Sequence, residues 1–247
     1  MNNSIKFFMG CLLITASVKN SSGQTISPDS AQQIAYNKIV ATFYKQIEPE
    51  KLLYNGRGYL YHPNSIRGDA YFTDDKTLHN GTVVYDSIYY NNVSLMYDVY
   101  ADVVAVLMPN KYSMVMLHNS RLLAFTVDEH KFVNLPADED KVIKAGNHEV
   151  LYDGKVQAFG KYSKSLQSAY STSGAPEQFF KGSKSFYLKK NGKYYVAGSE
   201  SAVLKVFEDK KKELKQFIKT KQIKFRRNPE QALALIAAEY DRLINAI

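Results

Sequence analysis

The sequence predicts an α+β protein: a meandering antiparallel β-sheet, whether a curved sheet, a half-barrel or a barrel, with an N-terminal helix before it and C-terminal helices after it. Three observations carry that expectation. From Leu52 to about Ala197, short apolar or aromatic runs alternate with turn residues, the pattern of strands joined by tight reversals. Tyr (19) and Phe (13) are abundant and Trp is absent, which suits pleated, half-buried surfaces better than a helical bundle. The links between runs are too short for parallel crossovers, which need about a dozen residues.

The first 24 residues read as an export signal, because Lys6 precedes an apolar run from Phe7 to Val18 that Lys19 and Asn20 interrupt before the roughly 20 residues of a membrane span are reached. Cleavage is expected near Gln24 or Thr25. The single cysteine, Cys11, raises the alternative of a lipoprotein, but only Ile5 to Met9 would remain as its apolar core, and the spacing favours cleavage. The mature chain then holds no cysteine, which excludes disulfides, thiolate metal sites and cysteine nucleophiles. Ser27-Pro28-Asp29 starts a helix in which Tyr36, Ile39, Val40, Phe43 and Ile47 recur at helical spacing.

Roughly ten strands fit the central stretch. The clearest are Thr82 to Tyr90, Val93 to Tyr100, Val103 to Met108, Tyr112 to His118, Leu122 to Val127, Glu149 to Tyr152, Val156 to Tyr162, Ser185 to Leu188 and Tyr194 to Ala197. Asn191-Gly192 suits a type I′ hairpin, whose central residues both need positive φ. Asp153-Gly154 offers the same argument, and Asn91-Asn92 and Pro109-Asn110 weaker versions of it. Pro136 to Asn147 and the Ser-, Thr-, Gly- and Ala-rich Ser163 to Glu177 read as surface loops. Beyond Ser199 three helices are expected: Ser201 to Phe207, Asp209 to Thr220 with Leu214, Phe217 and Ile218 inward, and Asn228 to Ile244. The last has Asn228 as cap, Pro229 in its first turn and Gln231 as capping-box partner. The chain thus divides into a signal (1–24), a β domain with its leading helix (25–200) and a basic helical segment packed on the same domain (201–247).

Charge is concentrated in that last segment. Residues 205–227 hold ten Lys or Arg and three Asp or Glu, a balance of +7 against +8 for the whole chain. Lys210, Lys211, Lys212, Lys215, Lys219, Lys224, Arg226 and Arg227 are therefore candidates for binding an anionic surface, set against their being the solvated face of amphipathic helices. No groove-reading or RNA-binding signature accompanies them, so nucleic acid is not expected as a partner.

Catalytic and metal signals are thin. His62, His79, His118, His130 and His148 are scattered, with no pair at metal-ligand spacing on a helix. Asp69, Asp74, Asp75 and His79 form the densest group of potential ligands and are assigned to a turn; no metal and no cofactor is expected. Asp86, Asp98 and Asp102 are the acids within or beside central strands and the candidates for an acid pair of a hydrolase. Tyr97 and Asp98 are placed on a solvated face. Tyr85, Tyr89 and Tyr97 are candidates for lining a groove for sugars or apolar ligands, set against cross-strand packing.

The phrases Leu53-Tyr54-Asn55-Gly56, Gly81-Thr82-Val83-Val84-Tyr85-Asp86, Val93-Ser94-Leu95-Met96-Tyr97-Asp98 and Leu151-Tyr152-Asp153-Gly154-Lys155, with the Lys-rich ending, resemble secreted proteins of Bacteroidota-type bacteria. That resemblance implies export and brings no catalytic residues. Asp29-Ser30-Ala31 and Asp86-Ser87-Ile88 are similar to O-glycosylation acceptor triplets of such bacteria. The expectation for function is a non-enzymatic periplasmic or cell-envelope protein whose curved sheet holds an apolar ligand or a partner segment. The alternatives are an envelope hydrolase working through strand-borne acids, and an adaptor on anionic surfaces.

Overall fold

A computed structural model describes residues 52–170 and 174–245; the expected signal and first helix lie outside the described residues. Eleven strands form one sheet: β1 (Arg57–Gly58), β2 (His79–Tyr85), β3 (Ile88–Asp98), β4 (Val103–Leu107), β5 (Met114–Met116), β6 (Leu122–Val127), β7 (His130–Leu135), β8 (Gly146–Asp153), β9 (Gln157–Tyr170), β10 (Pro176–Lys190) and β11 (Lys193–Val196). Their spatial order is β1-β5-β4-β3-β2-β6-β7-β8-β9-β10-β11, and every neighbouring pair is antiparallel. The sheet is open, with β1 and β11 as its edges, so the barrel reading is set aside. Three helices follow: α1 (Glu200–Val206), α2 (Lys211–Thr220) and α3 (Pro229–Asn245). Among the described residues no helix is long and apolar enough to cross a membrane.

The expected hairpin at Asn191-Gly192 is present, with φ of 51° and 79° closing the Lys190–Lys193 pair. Two other reversals fall elsewhere than expected. β2 and β3 turn at Asp86-Ser87, whose φ values of 50° and 64° close the Tyr85–Ile88 pair; both central residues are left-handed, as a type I′ turn requires. Asn91-Asn92 instead lies inside β3, next to a register shift opposite Gly81 and Val83, so the extra residue forms a bulge and not a turn. Between β8 and β9 the loop is three residues, 154–156, closing Asp153 against Gln157. Two of its amides are taken by Asp241 of α3, which accepts from Lys155 N at 2.6 Å and Val156 N at 3.2 Å, while Gly154 N donates to Val156 O at 3.0 Å.

The expected loop Ser163 to Glu177 is mostly strand: β9 and β10 pair without a register shift from Gln157–Lys189 out to Tyr170–Pro176. Its outer half has no fully buried position, and the half-buried ones, Lys164, Leu166, Glu177, Phe179 and Phe180, mix polar with apolar, so no clean apolar alternation marks it. Cross-strand polar pairs such as Ser163 with Ser183, 2.8 Å apart, take the place of a buried face.

One face of β2 to β7 is filled by Tyr85, Leu95, Tyr97, Val106, Phe125 and Phe132. On the other face of β3 to β5, Tyr59, Ala70 and Tyr71 of the segment after β1 cover Met96, Ala105 and Met114. β4 is therefore buried on both sides, which is why Val103 to Leu107 reads as an unbroken apolar run. Tyr97 (1 % exposed) lies in the core of the first face and Asp98 (0 %) beneath this cover, which corrects the expectation of a solvated face for both. The helices and β8 to β10 build a second core in which Leu188, Val203, Leu214, Leu233 and Ile236 are buried. The α3 start forms as expected: Asn228 Oδ1 accepts from Gln231 N at 3.2 Å, and its amide donates to Gln231 Oε1 at 3.1 Å.

Candidate functional site

Strand alternation and register together assemble a polar cluster on one face of β7, β8 and β9. Phe132 opposes Glu149 and Glu149 opposes Gly160, so these three share a face. Two residues before Phe132 is His130, and two after Gly160 is Tyr162; both return to that face, on the diagonals that long side chains span. Gly160 puts no side chain between them, although a Cβ there would meet Tyr162 only at 3.6 Å, an ordinary contact. The result is a chain of contacts: Glu149, 6 % exposed, accepts from the Tyr162 hydroxyl through Oε2 and bonds His130 Nδ1 through Oε1. Phe72, from the segment between β1 and β2, wedges against His130, Phe132 and Tyr162 with centroids 4.9, 5.0 and 5.0 Å away.

The cluster opens into a cleft of about 1280 Å³. Phe72, Tyr162 and Phe180 supply its rings, while Asp69, Asp75, Asp128, Lys164, Lys184 and Arg227 supply polar edges. His130 is half-exposed there, and its Nε2 has no hydrogen-bond partner among the described residues. Burial, then the bond to Glu149, pushes the Tyr162 hydroxyl well above its ordinary pKa, so it stays protonated and donates. Lys184 lies 5.4 Å over the Tyr162 ring and pairs with Glu230 of α3 at 2.6 Å. Lys164 donates to the carbonyls of Asp69 and Tyr71 at 2.8 and 2.6 Å, tying the ring-bearing segment to β9.

The sequence-predicted acids are dispersed. Asp86 sits in the β2–β3 turn, where two bonds from Arg121 hold its carboxyl below the usual range. Asp98 is buried with three donors or partners: the Tyr59 hydroxyl at 2.9 Å, His62 Nε2 at 2.7 Å and Ala101 N at 2.9 Å. Asp102, in the β3–β4 turn, accepts from Tyr97 and from Lys161, both at 2.6 Å. None of the three lines the cleft. Burial is also the leading cause that raises Tyr59 and Tyr97, so Asp98 and Asp102, like Glu149, each receive a protonated tyrosine. Tyr85 and Tyr97 are core residues and Tyr89 is 63 % exposed; they do not share a groove.

Asp75 accepts from Thr77 N at 3.0 Å and Thr77 Oγ1 at 2.7 Å, and these bonds lower its pKa to about 2. That is a turn role. His79 joins it to Asp128 through Nδ1 at 3.1 Å. Among the described residues no group of three or more His, Cys, Asp and Glu is arranged to hold a metal ion. Of the basic candidates, Lys215, Lys219, Lys224 and Arg226 line a separate groove and Arg227 lines the cleft, whereas Lys210, Lys211 and Lys212 line neither.

His130, Glu149 and Tyr162 were not legible as a site. Alternation alone pairs His130 with Phe132 and Gly160 with Tyr162, but only the register of three strands sets Glu149 between them. No protein-family model, curated protein or solved structure matches this chain.

Proposed function

We propose that this chain is an exported, non-enzymatic binding protein of the cell envelope that holds a carbohydrate-type ligand, flat and apolar on its faces and hydroxylated at its edges, in the cleft over β7 to β10. The observation that carries the reading is the pairing of a ring floor (Phe72, Tyr162, Phe180) with charged edges in one cleft of about 1280 Å³. Ligand sites combine apolar walls with a few placed polar groups, and rings offer flat apolar surface to a sugar face. The signal-like first 24 residues support export.

The cleft favours this ligand over a wholly apolar one. The face of β2 to β7 that a lipid would enter in a half-barrel is filled by Tyr85, Tyr97, Phe125 and Phe132. Arg67, shortly after β1, bridges in parallel to Phe179 of β10, which supports a sheet curved around a packed interior. The non-enzymatic reading rests on the engaged acids of the cleft: Glu149 holds Tyr162 and His130, Asp74 pairs with Lys164, Asp75 accepts from Thr77, Asp128 bonds His79 and Glu230 pairs with Lys184.

Calorimetric titration of the mature chain with soluble gluco-, xylo- and chito-oligosaccharides is the test. Binding is expected, without conversion of the sugar by mass spectrometry, and Gly182→Trp abolishes it. Gly182 lines the cleft and a Cβ there meets nothing within 4 Å, so the bulk enters open space. Binding of a naphthylamine dye in preference to every sugar, if lost in Gly182→Trp, returns the apolar ligand; cleaved product overturns the non-enzymatic reading; no binding of either overturns both. Mass spectrometry of the mature N-terminus is expected to find a start near Gln24 or Thr25, and an acylated Cys11 would replace cleavage with anchoring.

A further inference from the structure

A second groove, of about 1020 Å³, lies where β10 meets α1 and the link between α2 and α3. Its floor is apolar, formed by Phe186, Ile218 and Phe225 of the helical core. Lys215 and Lys219 stand one turn apart on α2, hence on one side of the groove. Lys224 and Arg226 flank the buried Phe225 in the link between α2 and α3, so a second pair of cations lines the groove from a second element. All four are exposed, and none has an acidic partner among the described residues. Nearby lysines differ in this: Lys184 pairs with Glu230 at 2.6 Å and Lys190 with Asp209 at 2.9 Å. Glu200 is the acid among the lining residues, leaving the groove strongly positive.

We propose that this groove docks an acidic amphipathic segment of a partner protein, its apolar side chains on the Phe186–Ile218–Phe225 floor and its carboxylates on the two pairs of cations. Four like charges around one apolar floor repel one another, and a segment whose apolar side chains cover the floor while carboxylates on either side of them reach the two pairs of cations relieves that repulsion. A flat lipid surface fits less well. The floor is recessed, and the most exposed apolar side chains, Leu60, Tyr112 and Tyr170, ride on other elements; Leu235, near Lys224, is 40 % exposed and offers a single side chain to a bilayer. The groove shares Lys184 with the ligand cleft and otherwise has its own lining, and the proposal does not depend on what that cleft holds.

The experiment is fluorescence anisotropy with a labelled amphipathic peptide of about twelve residues, built of Leu on one side with Glu flanking it. Matched Glu/Ser and Lys/Leu peptides and phosphatidylglycerol vesicles are run beside it. The Glu/Leu peptide is expected to bind, to weaken about tenfold or more between roughly 50 and 300 mM salt, and to weaken about tenfold or more in the charge-reversed pair Lys215→Glu, Lys219→Glu. Both lysines are exposed, and an unchanged circular dichroism spectrum confirms that the variant folds. Gly182→Trp, which blocks the other cleft, leaves peptide binding unchanged. Absent or salt-insensitive binding overturns the proposal, as does equal binding of the Glu/Ser peptide or binding untouched by the charge reversal. Vesicle binding stronger than peptide binding and abolished by the same reversal reassigns the groove to a lipid surface.

Discussion

Replacing Asp241 with Ala should loosen the helical layer from the sheet, because this one carboxylate holds two amides of the β8–β9 loop. Asp241 is 4 % exposed and accepts from Lys155 N at 2.6 Å, Val156 N at 3.2 Å and the Tyr152 hydroxyl at 3.1 Å. Lys155 is exposed, so water replaces its lost partner. Val156 is 2 % exposed, and its amide is left buried without one. Hydrogen bonds to a charged group contribute about 1.5–3 kcal/mol, and an orphaned buried donor costs about 1–3 kcal/mol. Discounting the wet Lys155 bond, the loss should be about 3 kcal/mol for Asp241→Ala and about 1.5 kcal/mol for Asp241→Asn, which keeps one acceptor oxygen. With a urea m-value of about 2–3 kcal/mol/M for a chain this size, the midpoint for Asp241→Ala should fall by about 1 M at unchanged slope. Tyr152→Phe should cost about 1 kcal/mol alone and almost nothing in the Ala background, since its acceptor is already gone. A midpoint shift below about 0.2 M for Asp241→Ala, or additive losses in the pair, would refute the reasoning.

His148 is fully buried, donates from Nδ1 to the Gly146 carbonyl at 2.9 Å, and is lowered from 6.5 to about 4 chiefly by burial. The unfolded chain therefore binds more protons between those values, and stability contributed above pH 6.5 is lost as pH falls towards 4, by about 3 kcal/mol; the difference in urea stability between wild type and His148→Gln should follow that window, and a constant difference would count against it. Glu149→Gln should cost only about 1 kcal/mol, since Gln can accept from Tyr162 and donate to His130, whereas Glu149→Ala strands both groups and should cost about 2–3 kcal/mol. In Glu149→Gln the His130 proton should move to Nε2, and ¹⁵N shifts of the ring that still report an Nδ1 proton would argue against that bond. Gly192→Ala, at φ 79° with open space around it, should cost about 1 kcal/mol from backbone strain alone; Gly182→Ala, in extended backbone with equal room, should be neutral or stabilising by a few tenths of a kcal/mol. Equal thermal shifts for the two would remove the turn argument at Asn191-Gly192.

Much of the architecture was legible because it follows from local chemistry. Leu122 to Val127 matches β6 at both ends, Asn191-Gly192 turns as its residues demand, and the Asn228, Pro229 and Gln231 pattern starts α3 where a capping box should. What was missed has two physical sources. Apolar alternation reports a strand with one dry face, so the outer halves of β9 and β10, whose half-buried positions include the polar Lys164 and Glu177, read as loop. Turn residues tolerate more than one role: Asn92, at φ 54°, serves a bulge, while Asp86-Ser87, embedded in an apolar run, makes the reversal.

The candidate site was harder for a reason that also explains Asp98. An acid's surroundings are set by what crosses over it, and the segment after β1 crosses β3 with little regular structure of its own. Phe72 N donates to Tyr97 O at 3.0 Å and Val99 N to Ala70 O at 2.9 Å, so that crossing is pinned by backbone bonds no side-chain pattern announces. The same crossing brings Tyr59 and His62 to Asp98 and, a few residues later, Phe72 to the His130–Glu149–Tyr162 chain. One visible trace existed in the sequence, the tyrosines at 59, 61 and 71, because a cover lying over a buried acid needs side chains that are apolar in body and carry a donor at the tip. Read that way, the tyrosine-rich stretch marks where the second face of the sheet is closed, and the cleft opens where that cover ends and Phe72 meets β9.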